Sequence, residues 1–146
     1  MRILIVAVGK LKRAGLRTEL DDYLARIRRY SPCQEIELKD GSEREVSERF
    51  VRAIPARSLV VALEVDGRAH DSPGLARFIA KCEESAIAHL VFLIGGSYGL
   101  PAAVSRSADR KLSLSQLTLP HRLARVVLAE QVYRAFTILR NEPYSH

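Results

Sequence analysis

The chain has 146 residues, 47% of them apolar and 27% charged, which excludes global disorder and leaves length for one domain with a real core. Lys and Arg outnumber Asp and Glu by 23 to 17, giving a net charge of +6 and a pI near 9.7, a balance that favours an anionic partner. Cys33 and Cys82 form no CxxC pair and are expected to be reduced, and the four histidines lack metal-ligand spacing, so no metal site is expected.

Arg2 to Val8 reads as a buried strand that ends at Gly9; it lacks the cleavage site of a signal peptide. No apolar run approaches membrane-spanning length, and a cytoplasmic location is expected. Leu16, Leu20, Tyr23, Leu24 and Ile27 recur at helical spacing and predict an amphipathic helix over about Leu16 to Tyr30, stopped by Ser31-Pro32. Gln34 to Lys39 alternates as a half-exposed, peripheral strand does. Ser42 with Glu45 makes a capping box ahead of a helix that buries Val46, Phe50, Ala53 and Ile54. Ser58 to Val65 is the clearest central strand, and Asp66-Gly67 reads as a turn after it. Ser72-Pro73 reads as cap and first residue of a helix whose inner face is Leu75, Phe78, Ile79 and Cys82. A fourth strand spans His89 to Ile94, a short helix Ala102 to Ala108, and a fifth strand Lys111 to Ser115. The last helix, His121 to Arg140, is apolar on more than one side and calls for burial on two sides. A second chain is the leading cover, and deep burial within a monomer is the alternative. This order predicts an α/β fold with a mostly parallel sheet and helices on both faces, in a single domain over residues 1–146.

In such sheets ligands lie beyond the carboxyl ends of the strands. Three of those ends are distinctive: Leu63 with Glu64 to Gly67, Ile94 with Gly95 to Gly99, and Leu114 to Leu119. Singly, each reads as well as a tight turn or core lining. Together they predict a pocket with leucine walls and bare backbone, suited to an adenine ring. Phosphate cradles do not fit: Gly9 and Gly15 lack G-x-G-x-x-G spacing, and no Lys-Ser/Thr follows Gly99. Lys10, Lys12, Arg13 and Arg17 follow the first strand, and Arg122, Arg125, Arg134 and Arg140 lie along the last helix, so each basic cluster is a docking site or a solvated face. Glu130, within that helix, reads as a structural partner for an arginine before it reads as catalytic.

The segments Ile94 to Leu100, Leu114 to His121, Arg125 to Ala135 and Asn141 to Tyr144, in this order and spacing, resemble the ribosomal large-subunit methyltransferase H family. The resemblance implies a SPOUT-type methyltransferase with a C-terminal trefoil knot, working as a homodimer. It implies that S-adenosyl-L-methionine is the cofactor and N3 of a pseudouridine in 23S rRNA of the assembled ribosome the target. Its cofactor positions fall on Leu63, Gly95 and the run Leu114, Ser115, Gln116, Leu117, Thr118 and Leu119. The chain departs from the pattern at its end, where Ser145 stands at the usual histidine position and His146 follows.

Methylation at a uracil N3 requires loss of the imide proton, so the protein must position the base and stabilise the developing anion. Arg125 or Arg134 is expected to stabilise it, with Tyr144 and His146 contacting the base across the dimer interface. The competing reading has both arginines holding phosphates or pairing with Glu130. The rival functions are a non-catalytic ribosome-binding protein and a methyltransferase for another rRNA or tRNA position.

Overall fold

A computed structural model describes residues 1–144. Five strands, β1 (Arg2–Val8), β2 (Cys33–Leu38), β3 (Ser58–Ala69), β4 (His89–Ile94) and β5 (Arg110–Ser113), form one sheet of order β2-β1-β4-β3-β5. Every pairing is parallel. The helices α1 (Ala14–Ile27), α2 (Glu43–Ala53), α3 (Ser72–Glu84), α4 (Ala102–Ser107) and α5 (His121–Leu139) alternate with the strands. This is the expected architecture, and β2 is indeed peripheral, at the sheet edge.

The two-residue period of β1 decides which helix goes where. Ile3, Ile5 and Ala7 point into a core shared with α1, α3 and α5, whereas Leu4, Val6 and Val8 point into a smaller core with Val46 and Phe50 of α2 and Val104 of α4. α5 lies on the larger face between α1 and α3, which account within the chain for much of its two-sided apolar pattern. What remains exposed is Leu123 near its start and Ile138 near its end, 39% and 42% accessible. Cys33 and Cys82 are buried free thiols, and burial pushes them up to about 12 and about 11, so neither is a ready nucleophile. Among the described residues no helix is long and apolar enough to cross a membrane, and no cluster of side chains could hold a metal ion.

Two local readings are corrected. Asp66-Gly67 is no turn: β3 continues to Ala69, and residues 64–67 bulge outward so that Leu112 of β5 faces both Leu63 and Arg68. Gly67 passes so close to β5 that a Cβ there would lie 2.8 Å from the backbone of Leu112 and Lys111. The glycine marks a close approach of two strands. Asp71, not Ser72, caps α3: its carboxylate accepts from Gly74 N at 2.7 Å, and the Ser72 hydroxyl instead donates to Gln131 of α5 at 2.6 Å. The capping box of Ser42 and Glu45 forms as expected.

One buried charge ties the sheet to α5. Arg125 is 0% exposed, and its two terminal amino groups donate to Glu35 at 3.2 Å, Glu37 at 2.6 Å, the Val8 carbonyl at 3.0 Å and the Gly9 carbonyl at 2.6 Å. Glu37 also accepts from Leu11 N at 2.7 Å, and Arg17 of α1 pairs with both carboxylates. Burial alone would raise the Glu37 carboxyl, but the Leu11 amide and the two guanidinium groups hold it below its ordinary value. Removing one partner of such a cluster strands the others in a low dielectric. Arg125→Met is therefore expected to cost about 3–5 kcal/mol in urea unfolding. Arg125→Lys should recover only part of that, because a point charge cannot satisfy four acceptors arranged for a fork.

Candidate cofactor site

A cleft of about 420 Å³ opens beyond the carboxyl ends of β4 and β5, beside the bulge of β3 and against the first turn of α5. That size suits a nucleoside-like ligand. Its walls are mainly Leu63, Leu100, Leu112, Leu114, Leu117 and Leu119, with Gly95, Gly96 and Gly99 forming one edge. The three segments chosen from the sequence thus converge on one cavity, although Leu63 lies within β3, at its bulge, and not at a strand end. Leu63, Gly95, Leu114, Ser115, Leu117, Thr118 and Leu119 all line it; Gln116 is exposed and does not.

Two loops give the cleft its shape. After β4 the chain turns back on itself: Gly99 N donates to Gly96 O at 3.0 Å, and Gly99 has φ +80°. A Cβ on Gly95 would meet the Gly99 carbonyl carbon at 2.2 Å and Leu100 N at 2.4 Å, so only glycine lets the loop close. After β5, the Ser113 hydroxyl donates to Ser115 O at 3.0 Å and the Ser115 hydroxyl accepts from Leu117 N at 2.9 Å. This serine turn holds Leu117 out at the mouth, 76% exposed. A leucine pinned in water on a cavity rim offers apolar contact to an occupant or to a neighbouring surface. Leucine walls beside freed backbone N–H and C=O groups fit an adenosine-bearing ligand.

Sequence reasoning missed Leu100, His121 and Ala124, which also line the cleft. His121 is the first residue of α5, and its Nδ1 is buried with no hydrogen-bond partner among the described residues. Burial, then the nearby Arg125 and Arg122, lowers its pKa from the ordinary 6.5, so the imidazole is uncharged near neutral pH. The only signal for it was its place directly after Pro120, at the junction of loop and helix.

The residues expected to do chemistry do not gather here. Arg125 is enclosed by its four acceptors and does not line the cleft. Arg134 pairs with Glu130 at 2.8 Å and stacks over the Tyr144 ring at 4.1 Å, while the Tyr144 hydroxyl donates to Glu130 at 2.8 Å. Burial and the Glu130 carboxylate raise the Tyr144 pKa and keep the phenol protonated. Glu130 is therefore the arginine partner that the sequence implied. Arg134 stands ten residues beyond Ala124, about 15 Å along the helix, so this tail cluster and the cleft occupy different parts of the chain. His146 lies outside the described residues.

The depressed His121 pKa has a consequence for stability. Between the ordinary 6.5 and the lower folded value the unfolded chain binds the extra proton, so stability is full above 6.5 and declines as pH falls below it. His121→Asn is expected to remove that part of the decline, measured as urea midpoints between pH 7.5 and pH 5; an unchanged profile would contradict it.

Comparison with known proteins places the chain. A family model described as "Predicted SPOUT methyltransferase" matches residues 1–146. The chain is 49% identical over 146 residues to the ribosomal RNA large subunit methyltransferase H of Sorangium cellulosum, covering 100% of both. It is 42% identical over 153 aligned positions to the protein of that name from Geobacter metallireducens, covering 100% of this chain and 99% of the relative. Among solved structures, a probable methylase family protein from Haemophilus influenzae superposes with TM-score 0.56 at 14% identity, covering 95% of this chain and 66% of that one. The SpoU methyltransferase AviRb from Streptomyces viridochromogenes, solved with AdoMet, gives TM-score 0.50 at 12% identity, with 91% and 57% covered. These structural likenesses speak for the fold, and the full-length sequence matches speak for the family. A glycine-closed, leucine-walled cleft at the edge of a parallel sheet thus belongs to an S-adenosyl-L-methionine-dependent enzyme: the chain is a member of the SPOUT methyltransferases, in the ribosomal RNA large subunit methyltransferase H family.

Proposed function

We propose that two copies of this chain together transfer a methyl group from S-adenosyl-L-methionine to N3 of a pseudouridine in 23S rRNA within the assembled ribosome. The observation that carries this reading is the separation of two half-sites. Among the described residues the cleft at the start of α5 has walls for a methyl donor but no arginine or tyrosine in its lining, whereas Arg134 sits about 15 Å further along the helix, with Tyr144 of the tail packed against it. A twofold partner that lays the tail end of its α5 against this cleft would complete the site. Leu117 and Leu123, both exposed apolar residues on that side, favour such a cover.

The bound cofactor supplies an electrophilic methyl group. The leucine walls hold the adenosine portion and exclude water, and the loop closed by Gly95 presents backbone groups to its edge. Neutral His121 keeps a second positive charge away from a cationic ligand. Arg134, partly exposed and already balanced by Glu130, is the better placed of the two arginines to face an imide anion. Arg125 acts as a positioning residue. Tyr144, stacked on Arg134, presents an aromatic face and a protonated hydroxyl to the base, and His146 belongs to the same tail. The trefoil knot is part of this reading, supported by the match to the SPOUT family.

Two outcomes are expected. Gly95→Ala should weaken binding of the methyl donor at least tenfold in calorimetry, about 1.4 kcal/mol, because the loop must reopen to admit the Cβ. Ribosomes from a strain lacking this gene should gain one methyl group on a 23S rRNA fragment when incubated with protein and donor, read by mass spectrometry. In that assay Arg134→Ala should lower turnover about 100-fold with donor affinity preserved. Unmethylated rRNA after incubation with the wild-type protein would overturn the assignment.

A further inference from the structure

Tyr98 is 100% exposed, a large aromatic ring with none of its surface packed. Its loop is not a slack one. The Gly96–Gly99 bridge, the Gly99 N to Gly96 O bond at 3.0 Å and the absence of room for a Cβ at Gly95 fix the turn that carries it. Its neighbours Ser97 and Gly99 line the cofactor cleft. A ring wholly in water on a fixed turn at the edge of a cleft stabilises nothing in the fold, which is the condition of a side chain reserved for a partner.

The adjacent strand supplies the complementary chemistry. β1 pairs with β4, and its end approaches the same loop: Val8 Cγ1 lies 3.2 Å from where a Cβ on Gly96 would stand. The chain then passes through Lys10, Lys12 and Arg13, all exposed and without an ion-pair partner among the described residues. This segment is pinned as firmly as the tyrosine loop. Gly9 N donates to Leu38 O at 2.7 Å, the Gly9 carbonyl accepts from Arg125 at 2.6 Å, and Leu11 N donates to Glu37 at 2.7 Å. Arg17, the fourth cation of the cluster, is spent on Glu35, Glu37 and Asp21 and belongs to the scaffold.

We propose that Tyr98 and the Lys10–Lys12–Arg13 segment form an RNA-docking rim beside the cleft, the ring stacking on an unpaired base near the target nucleotide and the cations holding the phosphates that follow. Base stacking tolerates any base and needs only an open π face, and cations on a rigid loop hold a backbone in register. Stacking on a protein ring needs an unstacked base, so the partner is looped or single-stranded RNA rather than regular duplex. Asp40 and Glu43 line, with Val8 and Tyr98, a groove in which they repel a phosphate backbone, which leaves the strand to the exposed cations of the β1–α1 segment. The proposal rests on the rRNA reading above and adds the surface that receives the RNA.

The test measures ribosome binding, methyl transfer and donor binding for the wild type, Tyr98→Ala, Tyr98→Phe and the triple variant Lys10→Ala, Lys12→Ala, Arg13→Ala. Tyr98→Ala is expected to weaken ribosome binding and raise the ribosome KM about tenfold, with the salt dependence unchanged and Tyr98→Phe close to wild type. The triple variant is expected to flatten the plot of log affinity against log salt by about one unit for each phosphate no longer neutralised. Donor affinity should be unchanged in every variant. Unchanged ribosome affinity in Tyr98→Ala, a matching loss of donor affinity, or an unaltered salt slope in the triple variant would overturn the rim. A wild-type protein that binds ribosomes yet transfers no methyl group would sink the assigned reaction while leaving these binding readouts to decide the rim.

Discussion

A single guanidinium, that of Arg125, sets the geometry on which the site depends. Burying a permanent charge costs several kcal/mol, and the position is tolerable only because four oxygens surround it. Those oxygens come from two strands: carboxylates of β2 and carbonyls at the end of β1. The bonds are directional, so they fix the rotation and the height of α5 against the sheet, which a greasy contact would leave free to slide. Ala124 and His121, on the same turn, are thereby held as the cleft wall. The same guanidinium grips the Gly9 carbonyl, so the start of the β1–α1 loop and the floor of the cleft are referenced to one point.

The second constraint is steric. Gly67 and Gly95 each stand where a neighbouring backbone leaves no space for a side chain. At Gly67 two strands cross closely enough for β3 to bulge and still resume its pairing with β5; at Gly95 a loop folds back on its own strand. Both glycines let backbone reach a place from which side chains are barred, and the cavity between them is lined by the leucines that follow. The cleft is therefore a product of backbone path first and of apolar composition second.

Period and punctuation made most of the architecture legible from the sequence. The unbroken apolar run of β1, the capping box at Ser42 and the apolar stripe of α1 are local patterns, and local patterns survive without tertiary information. The run Leu114 to Leu119 stood out in the sequence because leucines gathered in a loop call for a wall to line, and in the structure they line the cleft. What escaped was everything set by chain crossings. Asp66-Gly67 looks like a turn to any local rule, yet its glycine answers to Leu112, far along the chain. Glu35 and Glu37, two apart on an edge strand, look solvated, but their shared face meets Arg125 some ninety positions later. The same long-range pairing encloses Arg125 away from the cleft, and nothing nearby in sequence announces that both its amino groups are bonded to the sheet.

The division of α5 into two ends follows from these facts. Its first turn is locked to the sheet and closes a cavity; its second half carries Glu130 and Arg134, which bond to Tyr144 of the tail in a group that stands apart from that cavity. Arg134 stands about 15 Å along the helix from Ala124, which keeps that group out of the lining of the cleft in its own chain. Antiparallel placement of two such helices would set each head beside the other's tail, and a twofold axis does this with one interface. Dimerisation in this scheme is the means by which a short chain assembles a site from parts that its own fold keeps separate, and the exposed leucines at positions 117 and 123 mark where the second copy would lie.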